Sequence, residues 1–219
     1  MEPKIIFAKD KFTSKIIHID KAVNGKKCNC ICIECGIEMQ AIQGKDRKWH
    51  YRHTIDTNCQ GGFETAVHFM AKQILEENLF IILNDGSKFT YERTIVEEYV
   101  SKNFKPDIQL LNDIETLLIE IKVAHGITYE KLLKIKEYNK KVIEIDLSCI
   151  SRTISYEELK EIVLNDPSNK ILIHEPTELI VPIKNQIEPV HQILKIAFWV
   201  FVGLLIWNFL FPKKRYSND

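Results

Sequence analysis

The chain has 219 residues, enough for one core of ordinary size with small additions at its ends. Lysines and arginines balance aspartates and glutamates at 30 each, which excludes a global positive field that draws the chain to nucleic acid; any DNA contact must come from local patches. The N-terminus, MEPKIIFAKDK, has no signal-peptide run, so export is not expected. In a reducing compartment the cluster Cys28, Cys30, Cys32 and Cys35, with Cys59 beyond, points to metal ligation rather than disulfides.

Residues 4–20 alternate apolar and polar positions around KDKFTS, which predicts a short hairpin or ribbon, too small to hold a core alone. ETAVHFMAKQILEE (64–77) spaces Val67, Met70, Ala71, Ile74 and Leu75 as one face of a helix and leaves Glu64, His68 and Lys72 on the other. LFIILND, FTYERTIVEEYV, PDIQLL and TLLIEIKVA read as strands, with DGS as a turn. TYEKLLKIKEYN predicts a basic helix and KKVIEIDL a strand. ISYEELKEIVLND predicts a helix capped near Ser155 and ending before Pro167, and KILIHE resumes a strand. This order predicts an α/β fold, a mixed sheet with helices on its faces.

Prolines 176, 182 and 189 mark a linker. Beyond it, residues 196–211 form an apolar run broken only by Gly203 and Asn208. With Ile193 and Leu194 the span reaches about 27 Å at the helical rise, close to a bilayer's hydrocarbon thickness. The expected organisation is N-terminal strands with a zinc-ribbon-like element over 1–60, a core over 61–175, a linker over 176–192, a single transmembrane helix over 193–212 and a basic tail over 213–219. A buried terminal helix, or one that binds a partner, is the alternative to a membrane anchor. Lys213, Lys214 and Arg215 favour a cytoplasmic C-terminus, whereas the missing export signal keeps the main domain cytoplasmic; the second argument is the stronger for so short a tail.

Asp107 opens one strand and Glu120 lies near the end of the next. A hairpin turning at Asn112–Asp113 would set them side by side as oxygen ligands for Mg²⁺ or Mn²⁺. Lys122, two residues on, shares Glu120's face and supplies a cation for the attacking water or the phosphate. Glu64, one helical turn before His68, is placed to reach the same ion. His68 is placed to meet a phosphate or a carboxylate, and Lys72 follows on that face. Lys131, Lys134 and Tyr138 lie on the next helix, positioned for a DNA backbone.

The ordered segments CIECG, WHYRH, Cys59, ETAVHFMAK, KPDI, IEIKVAHGITYEKLLKIKEYN and VIEIDL resemble the competence protein CoiA-like nuclease family, a branch of the PD-(D/E)xK superfamily, over roughly residues 5–175. The resemblance implies a restriction-endonuclease-like fold and a metal-dependent DNA endonuclease serving DNA uptake, recombination or defence. Glu64, Asp107, Glu120 and Lys122 fall on the family's helix acid, P-D acid and E-x-K pair. The third position can be glutamine in that family; here it is lysine, as in the wider superfamily. A catalytically idle nucleic-acid-binding module at the membrane is the alternative.

Cys32 and Cys35 form C-x-x-C with Gly36 behind them for a knuckle turn, and His53 and Cys59 can complete a tetrahedral zinc site. Cys28 or Cys30 can replace one ligand; the resemblance favours Cys32, Cys35, His53 and Cys59. Four protein ligands leave no open position, so this Zn²⁺ is expected to be structural. Around it Lys45, Arg47, Lys48 and Arg52, interleaved with Trp49 and Tyr51, offer a further DNA contact.

Overall fold

In the computed structural model, which describes residues 4–46 and 48–177, the first alternating run pairs with itself. Strands β1 (Phe7–Asp10) and β2 (Ile16–His18) are antiparallel, with Phe7 opposite His18. Asp10 Oδ1 accepts the N–H groups of Phe12 and Thr13 and so closes the turn between them. The cysteine-rich segment continues the same sheet as β3 (Gly25–Ile31), β4 (Glu38–Ile42) and β5 (His50–His53), in the order β2-β1-β3-β4-β5. Cys28 and Cys30 alternate inward along β3 and are buried, which makes them core residues rather than surface ligands.

Helix α1 (Phe63–Asn78) buries the expected face: Val67, Met70, Ala71, Ile74 and Leu75 are all fully or nearly fully enclosed. It starts from two glycines with positive φ, Gly61 and Gly62. A Cβ on Gly61 would stand 2.7 Å from the Ile5 side chain, so glycine is required both for conformation and for the close approach of the N-terminal sheet.

The DGS turn joins β6 (Phe80–Ile82) to β7 (Lys88–Thr90) as a separate two-stranded sheet. FTYERTIVEEYV is therefore not one strand. It breaks at Tyr91–Glu92, because buried Tyr91 turns its hydroxyl to donate to Leu75 O of α1 at 2.6 Å. The main sheet follows: β8 (Arg93–Val96), β9 (Ile108–Leu111), β10 (Thr116–Lys122), helix α2 (Tyr129–Tyr138), β11 (Val142–Asp146), helix α3 (Tyr156–Leu164) and β12 (Lys170–His174). Strand order is β12-β11-β10-β9-β8, and β10–β11 is the parallel pair, joined through α2. Both strands of that pair are buried almost throughout, as central parallel strands are, and both read as near-continuous apolar runs.

Helix α3 carries the expected cap as a reciprocal box between Ser155 and Glu158. At its other end the ammonium of buried Lys170 donates to Ile162 O and Asp166 O, which satisfies terminal carbonyls; burial holds this amine at about 8. One cluster of buried side chains runs from Phe7 and Ile19 of the N-terminal sheet through Met70 and Leu75 of α1 to Ile108, Leu117 and Val163. The mixed α/β expectation thus holds, with antiparallel pairing dominant. The expected transmembrane helix, the basic tail and nearly all of the linker lie outside the described residues. Among the described residues no helix is long and apolar enough to cross a membrane.

Candidate functional site

Strands β9 and β10 pair with Ile108 opposite Ile119, which sets Asp107 beside Glu120 at the edge of the ladder. The parallel pairing of β10 with β11 aligns two similar strings, IEIK (119–122) and IEID (143–146), residue for residue. Glu120 therefore lies next to Glu144, and Lys122 next to Asp146. The second pair is closed, with Lys122 Nζ 2.7 Å from Asp146 Oδ2. The first is a like-charge pair with both side chains buried, an arrangement that costs stability unless a cation lies close.

Asp107, Glu120 and Glu144 line one cleft of about 140 Å³, together with His125, Gly126 and Lys131. At about 30 Å³ per water, this is space for an ion and a few waters. Asp107 is held from three sides: His68 Nε2 lies 3.0 Å from Oδ2, Lys72 Nζ lies 3.2 Å from Oδ1, and the Ile121 N–H donates to Oδ2 at 2.8 Å. Burial alone would raise this carboxyl, but the bond and charge of His68, with the Ile121 N–H and Lys72, hold it well below the usual range.

Glu120 behaves in the opposite way. It is 4% exposed, and burial, reinforced by the neighbouring Asp107 charge, pushes it up to about 7 against the pull of Lys131. Lys131 Nζ reaches Glu120 Oε2 at 2.5 Å from the first turn of α2. Glu120 Oε1 is buried with no hydrogen-bond donor among the described residues. Asp107 beside it is another acceptor and becomes a partner only when one of the two carboxyls holds a proton. Glu144 accepts the Ile127 N–H at 3.2 Å, which ties the loop before α2 to this wall of the cleft.

Several expected site residues are placed differently. Lys72 is 2% exposed and bonds Glu97 Oε1 at 2.6 Å as well as Asp107, so it braces the Asp107 carboxylate from inside the fold and not from the surface. The helical period put it on the polar face of α1 correctly, but that face packs against Asp107 instead of solvent. His68 takes the carboxylate of its two expected partners. The Glu64 side chain is exposed and outside the cleft, one turn too early on α1. Lys122 shares the face of Glu120 as expected, yet its ammonium is engaged by Asp146 and does not line the cleft. Lys134 is exposed on α2, whereas Tyr138 is half-buried and packs against Phe104, with ring centroids 6.1 Å apart. Lys131 and Glu144 complete the cleft. The signal for Glu144 was the repeat of I-E-I in two strands, and for Lys131 its place in the turn after Thr128, whose side chain caps α2.

The four expected cysteine and histidine ligands are brought together. Ligand atoms of Cys32, Cys35, His53 and Cys59 all lie within 4.8 Å of one another, a Cys₃His set that fits zinc. Cys32 Sγ is 3.6 Å from Cys59 Sγ and Cys35 Sγ is 3.4 Å from His53 Nε2, distances that suit the edges of a tetrahedron with metal–ligand bonds of about 2.0–2.3 Å. Gly36 has φ 72 and its N–H donates to Cys32 O, forming the knuckle turn. Gly61 N donates to Cys59 Sγ at 3.4 Å, so the glycines that start α1 also orient a ligand. Cys28 and Cys30 take no part; their thiols bond Met39 O and Cys28 O, and burial pushes Cys30 up to about 12. Of the aromatic residues expected to touch DNA beside this site, Trp49 is exposed but Tyr51 is buried, with its hydroxyl donating to Ile17 O; Arg47 lies outside the described residues. No family model, curated protein or solved structure matches the chain.

Proposed function

We propose that the chain is a Mg²⁺- or Mn²⁺-dependent DNA endonuclease of the PD-(D/E)xK type, with Asp107 and Glu120 as the metal-holding pair and a zinc knuckle as structural support. One observation carries the reading: two adjacent buried carboxylates, one with an unpartnered oxygen, face a third across a small cleft. Lys131 alone among the cleft's lining residues sets a fixed positive charge against these three carboxylates, and their all-oxygen donors suit a hard divalent ion. The order α1, β8, β9, β10, α2, β11, with its parallel β10–β11 pair, agrees with a restriction-endonuclease-like core and supports the resemblance to CoiA-like nucleases.

An ion held there would lower the pKa of a bound water and offset charge developing on the phosphate. The protein's own contribution is positional. His68, Lys72 and the Ile121 N–H fix the Asp107 carboxylate, and Glu120 lies almost wholly buried beside it. Exposed Lys134 on α2 supplies a phosphate contact beside the cleft, while Lys72 does not. The apolar run over 196–211 is proposed to tether this nuclease to a membrane, with the core on the cytoplasmic side.

The full-length protein in detergent micelles should nick supercoiled plasmid with Mg²⁺ or Mn²⁺ and not with EDTA. Asp107→Asn should lower the rate by at least about 100-fold, as loss of a metal-holding carboxylate does. A wild-type protein that binds DNA but never cuts it across Mg²⁺, Mn²⁺ and Ca²⁺ would leave a nucleic-acid-binding module instead.

A further inference from the structure

The E-x-K spacing assigns the cation of this site to Lys122. The side-chain geometry points elsewhere: we infer that Lys131, from the first turn of α2, supplies the catalytic cation, and that Lys122 is a strand tie. The inference rests on the nuclease reading and names a residue that the motif does not.

The two lysines differ in their partners. Lys122 donates to Asp146 Oδ2 at 2.7 Å across the central parallel pair, and Asp146 is itself fixed by the Ser148 N–H and hydroxyl. Its carboxyl is held down to about 2: burial opposes this, but Lys122 and Ser148 prevail. Pulling Lys122 into the cleft would leave Asp146 without its counter-charge. Among the described residues Lys131 has no such competing anion: its one charged partner there is Glu120, inside the cleft, and the ion would take Glu120's other oxygen, Oε1, which has no donor among those residues. An ion bound there would therefore leave the contact between Lys131 and Oε2 intact.

The position of α2 adds to this. Gly126, Ile127 and Thr128, the residues that lead into the helix, line the same cleft as Asp107 and Glu120. Thr128 caps Lys131 N, while the N–H groups at the helix start point the positive end of a ten-residue helix at the site. A phosphate approaching the ion thus meets the Lys131 ammonium and the helix terminus together. In the reaction a water oxygen forms a bond to phosphorus as the bond from phosphorus to the leaving sugar oxygen breaks. The water's proton passes to solvent, and the leaving alkoxide takes a proton from solvent. Lys131 takes no part in these proton transfers and stabilises the charge on the non-bridging oxygens.

The test uses full-length protein in detergent, single-turnover cutting of plasmid DNA, Mn²⁺ binding followed by its paramagnetic signal, and Tm. Lys131→Ala should cut about 100-fold more slowly while still binding Mn²⁺. Lys131→Arg should recover part of that rate, which a merely structural lysine would not require. Lys136→Ala, exposed on the same helix, should cut like wild type. Lys122→Ala should show its effect as a lowered Tm. Lys131→Ala cutting as fast as Lys136→Ala overturns the inference and leaves the nuclease reading standing. So does Lys122→Ala losing cleavage with Tm and Mn²⁺ binding unchanged. A wild-type protein that never cuts overturns both.

Discussion

Asp107 and Glu120 are neighbours with opposite electrostatics, and the difference comes from what surrounds each carboxylate. Asp107 receives a histidine, a lysine and a backbone N–H, whereas Glu120 receives one lysine and otherwise faces apolar walls and acids. A folded value of about 7 against an ordinary 4.5 means that ionised Glu120 works against the fold. The penalty is absent below about pH 4.5 and complete once pH passes 7. Glu120→Gln should therefore stabilise the metal-free protein at pH 8, by an amount on the order of 3 kcal/mol, and leave it unchanged near pH 4. Denaturant unfolding at the two pH values checks this. Asp107→Asn should act with the opposite sign at pH 7, because a depressed carboxylate adds stability above its unfolded range and loses it as pH falls through its lowered value. The sequence placed both acids correctly, since cross-strand pairing follows from the hairpin and the alternation. The partners of the cations were not legible: the face a lysine occupies is periodic and readable, but the anion its flexible stem reaches is a matter of tertiary packing. Lys72 and Lys122 both found carboxylates on elements far along the chain.

Among the elements, regular periodicity decided what was readable. Helices α1, α2 and α3 each fall within two residues of their apolar pattern, and α3 carries its capping box in plain view. The five-stranded N-terminal sheet was only half visible, because the cysteine-rich strands β3 to β5 lack a clear apolar alternation. If the Cys₃His set holds zinc, as its geometry allows, chelation should lower Tm by roughly 5–10 °C, with one Zn²⁺ released per chain, and Cys35→Ser should reproduce the loss. If the chelated protein melts unchanged, the four residues hold no structural metal. Gly61 joins the knuckle to α1, with φ +86 and the Ile5 side chain against its missing Cβ. Gly61→Ala should cost about 1–3 kcal/mol in urea unfolding, through strain and overpacking together. A near-neutral effect would show that the N-terminal sheet can shift away from α1 without loss.

At the scale of the molecule, one large buried cluster among the described residues links the N-terminal sheet to the main sheet, so the Cys₃His set and the acid cleft belong to the same compact unit. If the chain cuts DNA as proposed, the balanced charge leaves attraction of the substrate to local lysines, and cutting should slow steeply with salt where DNA binding is limiting. The apolar run at the C-terminus predicts that the full chain stays with membranes after alkaline carbonate and that a chain ending at residue 189 is released; release of both would contradict the anchor. The central claim is that Asp107 and Glu120 hold one divalent ion between them. Anomalous diffraction from a Mn²⁺-soaked crystal tests it most directly. The account predicts one peak about 2.1 Å from an oxygen of each carboxylate; Mn²⁺ bound elsewhere, with the cleft still closed by Lys131 alone, would contradict it.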